Sequence, residues 1–287
     1  MKTQEVVASF MADCRLRGLS PRTLRGYDYH VKRLIQLSPQ FPPKPESIQI
    51  FLSTIKGTYN ADSHWRTYHA LGNYAERRYG IPNFMRGVTR PRVPKQIMPT
   101  ISDTELNLLA VFLEKAPARD KAILALFIDT AIREGEAVNL KRRDVGEDRI
   151  IIHGKTGYRV APISKITRDL ILSLPVHEDG YVFHGTNKNK NKPLGSTGFY
   201  KVVKKYLTMV GYSGKQFGPQ TLRRSFGRFH LKDGGDMQSL SLILGHKSIK
   251  TTADYYAPLL TEDVIEIHHK HTPGKVFERS NKRGVSS

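Results

Sequence analysis

Through the first 84 residues the apolar positions recur three and four apart, and nowhere do they alternate in the manner of a strand. In "TQEVVASFMADCRLRG" Val6, Val7, Phe10 and Met11 share one helical face, and Gly18 follows as a stop signal. "SPRTLRGYDYHVKRLIQL" opens with Ser20 as N-cap and Pro21 at the first helical position, and Leu24, Tyr27, Val31, Leu34 and Ile35 form its apolar side. "PESIQIFLSTIKG" reads as a third helix. "ADSHWRTYHALGNYAERRYG" reads as a fourth, with Trp65, Tyr68, Leu71 and Tyr74 as its stripe. The pattern predicts a mainly α, four-helix domain over residues 1–84.

Residues 85–100, "MRGVTRPRVPKQIMPT", break the periodicity. Prolines at 91, 94 and 99 keep this stretch extended, and it carries Arg86, Arg90, Arg92 and Lys95 with no acid. It reads as a basic linker, either an ordinary solvated one or a strap along a phosphate backbone. From residue 101 the pattern is mixed. "ISDTELNLLAVFLEKA" is a helix capped by Ser102 or Asp103, and "RDKAILALFIDTAI" is apolar enough to be buried. In "DRIIIHGKTGYRVAPIS" two β-rich runs flank a "GKTG" turn, which predicts a hairpin. "GYVFHG" predicts a short strand. "STGFYKVVKKYLTMVG", "TLRRSFGRFHLKDG" and "DMQSLSLILGH" predict helices, the last capped by Asp236, and Leu242, Ile243, Leu244 and Ile249 read as core. The result is an α+β domain over residues 101–260, mostly helical with a small antiparallel sheet. Residues 261–287 are a tail. "NKNKNK" at 187–192 reads as a mobile loop.

The chain of 287 residues has a net charge of +20 and a pI near 10.0, more than solubility requires, and this points to a polyanionic partner. Residues 1–99 hold 16 Lys and Arg against 6 Asp and Glu, so a third of the chain carries half the excess. No apolar run is long enough to span a membrane, and the first 20 residues lack the apolar core of a signal peptide. A single cysteine, Cys14, fits a reduced, cytoplasmic setting.

Several local features could carry chemistry, and each has a plain structural reading. "TAIREGEAVNL" sets Arg133 and Glu136 three apart, which also suits a structural ion pair. "HGKTGYRVAP" puts Lys155 at a hairpin tip, where lysines are commonly just solvated. "GPQTLRRSFG" brings Arg223 and Arg224 together after a Gly-Pro turn. "LGHKSIKTTADYY" places Tyr255 nine residues after His246, with Tyr256 adjacent. His268, His269 and His271 in the tail read as solvated groups, and no metal site is expected.

In this order the four features resemble the boxes of the tyrosine recombinases, the phage-integrase family. Its first box, thr-gly-leu-arg-x-x-glu-leu, corresponds to "TAIREGEAV". Its hairpin lysine matches Lys155. Its second box, his-x-x-arg, corresponds to "QTLR", and its third, leu-gly-his with a tyrosine nine residues on, to His246 and Tyr255. The resemblance covers about 185 residues here, and the preceding basic helical domain matches the family's SAM-like core-binding domain in position and size, in the two-domain architecture of the Xer type. It implies a site-specific DNA recombinase that cleaves and rejoins double-stranded DNA through a 3′-phosphotyrosine bond, without metal, ATP or other cofactor. Arg133 and Arg223 would hold the phosphate oxygens, Tyr255 would attack, Lys155 would protonate the leaving 5′-oxygen, His246 would donate to the phosphate, and Glu136 would orient a neighbour. Gln220 stands where the second box has histidine; an amide can bond a phosphate but cannot shuttle a proton. Arg224 stands where the family often has another histidine.

Arg22, Arg25, Lys32, Arg33 and Arg66, with the basic linker residues, are the expected DNA contacts. The resemblance further implies two domains around a duplex, a homotetramer on two paired sites, a tail that packs on a neighbouring protomer or on its own domain, and work at the nucleoid. A topoisomerase of the IB type, or a non-catalytic DNA-binding relative, would share several of these features.

Overall fold

The computed structural model describes residues 1–94, 98–154, 157–186, 190–246 and 248–256, with His268 and Thr272. The chain divides into two compact units, Met1–Gln96 and Ile97–Ser287. Lys95, Lys155, part of the "NKNKNK" tract and nearly all of the tail lie outside the described residues.

The first unit contains α1 (Thr3–Leu16), α2 (Pro21–Leu37), α3 (Pro45–Thr54) and α4 (Thr58–Tyr79). The Ser20 hydroxyl accepts the Thr23 N–H at 3.2 Å and so starts α2, with Pro21 in the first turn. Gly18 closes the α1 end with a φ of 68°. Val6, Phe10, Leu34, Ile48, Tyr68 and Leu71 meet in the core, each hidden from water. Burying one such side chain contributes roughly 1.5–3 kcal/mol.

This core extends past the fourth helix into the stretch read as linker. The chain turns at residues 84–87, and Met85 and Val88 are buried among the helices. The Trp65 indole N–H donates to the Val88 carbonyl at 3.1 Å, and Arg90 lies over the Trp65 ring while its Nε binds Asp62 at 2.8 Å. Residues 85–90 therefore belong to the helical unit. Two apolar residues in a basic stretch sufficed to dock it, which a reading weighted on proline and charge missed.

The second unit runs α5 (Asp103–Glu114), α6 (Ala118–Thr130), α7 (Glu134–Ala137), a short 3-10 turn, β1 (Arg149–Gly154), β2 (Gly157–Pro162), α8 (Lys165–Leu172), α9 (Ser196–Met209), α10 (Pro219–Lys232), α11 (Met237–Leu244) and α12 (Ile249–Tyr256). Among the described residues it is mostly helical with one two-stranded antiparallel sheet. α6 is its hub. Ala122, Ile123, Leu124, Leu126 and Phe127 spread over more than half of that helix's circumference and all are buried, because α5, α8, α9 and α10 pack around it.

Two local expectations change. "GYVFHG" forms no strand among the described residues. Its backbone groups divide between different neighbours, Val182 N–H to Leu140 and Phe183 C=O to Leu194, so no single ladder develops. Leu242 and Ile249 are 70% and 50% exposed, whereas Leu244 is buried. On so short a helix as α11, the face that meets α10 takes Leu240 and Leu244 and leaves Leu242 outside.

Candidate active site

The C-terminal end of α6 sets the first element. Ala131 adopts a left-handed conformation, φ 49°, which ends the helix and turns the chain so that Arg133 precedes α7. A non-glycine residue held there costs about 1 kcal/mol. At the third position of α7 Glu136 accepts the Arg133 backbone N–H at 2.9 Å with Oε2, and the Arg133 guanidinium at 2.8 Å with Oε1. The same Oε2 also accepts Nη2 of Arg159, from β2, at 3.0 Å. Burial opposes the charge on Glu136, but Arg159 and the bonds from both arginines outweigh it and hold the carboxyl below its ordinary range.

Arg159 continues the network. Its Nη1 donates to the carbonyl of Ile243, in the last turn of α11. Sequence reading passed over Arg159, although the signal was there. On the hairpin Arg159 pairs with Ile152 and shares its face with Ala161, both buried, so a charge at that register position faces inward and needs a partner.

Arg223, on α10, is 4% exposed. Its Nη1 donates to the carbonyl of Ala131 and its Nη2 to that of Leu244 at 2.6 Å, so one guanidinium ties the ends of α6 and α11. Burial, with Arg133 and Arg159 nearby, lowers its pKa to about 10, and it remains a cation at neutral pH. α11 ends at Gly245, φ 63°, and His246 follows, its backbone N–H on the Ser241 carbonyl at 3.0 Å. The His246 ring lies between Arg223, 3.5 Å from Nε2, and the Thr252 hydroxyl, 2.9 Å from Nδ1. Burial and then Arg223, Arg133 and Arg159 push its pKa down to about 4.

The two tyrosines of α12 part company. Tyr256 is 2% exposed, packed with Ala131, Leu231, Leu240 and Leu244. Tyr255 is 42% exposed, and its hydroxyl has no hydrogen bond to any described residue. Arg133, Glu136, Arg223 and His246 thus share one network, and Tyr255 stands on the helix whose Thr252 bonds to His246. Gln220 is exposed in the first turn of α10, three residues before Arg223, with no side-chain bond among the described residues. Lys155 lies outside the described residues, on the connection between Gly154 and Gly157. Arg224 is not directed to this cluster: it is buried, its Nε donating to the Pro99 carbonyl at 3.2 Å and its Nη2 to Thr221 at 3.0 Å.

In the first unit all the basic residues proposed from sequence and described here are exposed. They differ in company. Lys32 pairs with Asp28, Arg86 with Glu76, and Arg66 and Arg90 share Asp62. Arg33 bonds Gln36 at 3.3 Å. Arg22, Arg25 and Arg92 have no acidic partner among the described residues.

Three guanidinium groups around one carboxylate leave an excess of positive charge beside a neutral imidazole. Such a cluster suits a phosphodiester under attack by a tyrosine. The chain belongs to the phage integrase family, whose profile matches residues 99–262, and it is a tyrosine recombinase. Among its relatives, tyrosine recombinase XerA of Thermococcus kodakarensis is 28% identical over 259 residues, 88% of this chain and 90% of that protein. Tyrosine recombinase XerD of Yersinia pestis is 25% identical over 285 residues, 90% of this chain and 93% of that one. The fold is shared with XerH recombinase bound to a palindromic difH substrate, at 17% identity, TM-score 0.71, over 94% of this chain and 85% of that one. It is shared as well with a lambda integrase dimer bound to a COC′ core site, at 18% identity, TM-score 0.72, over 88% and 97% of the two chains.

Proposed function

We propose that this recombinase acts site-specifically on double-stranded DNA, with Tyr255 as the nucleophile that forms a 3′-phosphotyrosine bond and frees a 5′-hydroxyl. The observation that carries this assignment is the joint hold of Arg223 and Arg159 on the end of α11, which sets His246 beside a cationic cluster whose only described carboxylate is Glu136. Arg133, 38% exposed, and Arg223 stabilise charge on the non-bridging oxygens as it builds up in the in-line transition state. The neutral His246 donates to the same phosphate. Lys155 protonates the leaving oxygen, and Gln220 contributes a hydrogen bond in place of an imidazole. The ester bond to tyrosine conserves the free energy of the phosphodiester, so rejoining requires neither metal nor ATP.

Arg22, Arg25 and Arg92, with Lys32, Arg33, Arg66, Arg86, Arg90 and Lys95, meet the phosphate backbone. Pairs of protomers on two sites assemble as a tetramer in the cytoplasm at the nucleoid. Relatives named as recombinases along nearly their full lengths favour this reading over a topoisomerase or a DNA-binding protein without activity. The test uses the full chain and fragmented genomic DNA, trapped in detergent. A covalent protein–DNA adduct that is lost on Tyr255→Phe, and whose sequenced ends converge on one motif, supports the proposal. An absent adduct, or ends scattered at random, overturns it.

A further inference from the structure

We propose that Thr252 is a positioning residue for His246, its hydroxyl changing from acceptor to donor so that the imidazole can move its proton from Nδ1 to Nε2 when a phosphate enters. The inference rests on the reading of the cluster as a phosphodiester site and goes beyond it in naming what controls the histidine.

A neutral imidazole donates from one ring nitrogen and accepts at the other. In the structure Nε2 of His246 faces Nη2 of Arg223 at 3.5 Å. A guanidinium has donors only, so Nε2 is the accepting nitrogen and the proton sits on Nδ1. The Thr252 oxygen, 2.9 Å from Nδ1, then accepts. A phosphate reverses the demand. Its oxygens only accept, so the Arg223 N–H turns to them, and His246 joins in only if Nε2 carries the proton. Nδ1 becomes an acceptor and requires a donor.

A carbonyl or a carboxylate beside Nδ1 would permit the first arrangement alone. An ammonium would permit the second alone. A hydroxyl permits both by rotating about one bond, and the Oγ1 of Thr252, shielded from water, bonds to nothing else among the described residues that would fix its direction. The doubly protonated ring is disfavoured in the free protein, since burial and three guanidinium groups oppose it. The bond has a second consequence. Thr252 lies three residues before Tyr255 on α12, so the ring that meets the phosphate and the helix that bears the nucleophile are joined through one hydroxyl.

The tautomer is read directly from 15N spectra of the full chain labelled at histidine, first without anion and then with saturating inorganic orthophosphate. The expected result is a proton on Nδ1 of His246 in the free protein and on Nε2 with phosphate. The same tautomer in both states, or both nitrogens protonated with phosphate, overturns the proposal. Thr252→Val keeps the shape and removes the hydroxyl; it should weaken orthophosphate binding and slow adduct formation by about tenfold, with DNA affinity unchanged, and Thr252→Ser should restore both. A valine variant as active as the wild type, or a serine variant as slow as the valine one, also overturns it. Proton exchange with phosphate in a wild-type chain that forms no adduct would leave this inference standing and reject the nucleophile assignment instead.

Discussion

Tyr256 donates its hydroxyl to the main-chain carbonyl of Arg223 at 3.4 Å, so the residue beside the exposed tyrosine serves as a spacer between α12 and α10. Burial pushes its pKa up to about 12, which is unfavourable for an attacking phenolate. Tyr255→Phe should abolish the covalent adduct. Tyr256→Phe should retain it and lower stability by about 1 kcal/mol, the worth of one hydrogen bond. Denaturing gels with labelled DNA, paired with urea melts, check both.

Gly227 gives α12 its seat. A Cβ built there would lie 2.2 Å from Cε1 and 2.5 Å from Cζ of Tyr256, inside the ring's van der Waals surface. In an exposed helix Gly→Ala gains up to about 1 kcal/mol. Here Gly227→Ala should destabilise the second unit and suppress the adduct while the chain still binds DNA. Thermal melts and mobility shifts on one preparation distinguish these effects.

Glu136 holds Arg133 and Arg159 with one carboxylate. Glu136→Ala leaves the largely buried Arg159 guanidinium and the half-buried Arg133 uncompensated and should cost about 3 kcal/mol, with Glu136→Gln in between. The pH dependence follows from the direction of its shift. The folded-state pKa lies below the unfolded one, so the stabilisation is present above the ordinary glutamate range, near 4.3, and is lost as pH falls through the folded value. Urea midpoints of wild type and Glu136→Gln, compared from pH 7 down to pH 3, should converge.

The histidines give a separate acid sensitivity. His30 is lowered to about 4, mainly by burial and then by His64 and Arg66, and His246 to about 4 as well. A base whose folded pKa is depressed takes up its proton in the unfolded state first. Stability should therefore decline as pH falls from about 6.5 towards 4, and be flat for these groups above 7. His246→Asn should remove part of that slope in the second unit, as measured by melting temperature against pH.

Among the basic residues of the first unit, those without acidic partners should count most for DNA. Each phosphate contact adds about 0.9 to the slope of log affinity against log salt. Arg22→Ala and Arg25→Ala should each lower that slope by about 1, whereas Lys32→Ala, which frees Asp28, and Arg66→Ala, which leaves Asp62 to Arg90, should give a smaller change in the slope. Fluorescence anisotropy across a salt series reads this.

Periodicity and capping chemistry act locally, and the sequence by itself determined what depends on them: the helices of the first unit from Ser20 at the start of α2 to the Tyr68–Leu71–Tyr74 stripe of α4, the α+β character of the second, and the hairpin. Motif order and spacing sufficed for the family, and they offered Arg133, Glu136, Arg223, His246 and Tyr255 as one expected set. Only the tertiary structure decided which side chains those residues meet. Arg159 entered the cluster because the hairpin register faces it inward towards Glu136 and the end of α11. Thr252 came under His246 because a left-handed Gly245 turns the chain between α11 and α12. Met85 and Val88 joined the first core, and Leu242 was left outside the second. Such outcomes depend on partners far away in the chain, and one-dimensional spacing carries no information about which distant backbone carbonyl a buried guanidinium will find.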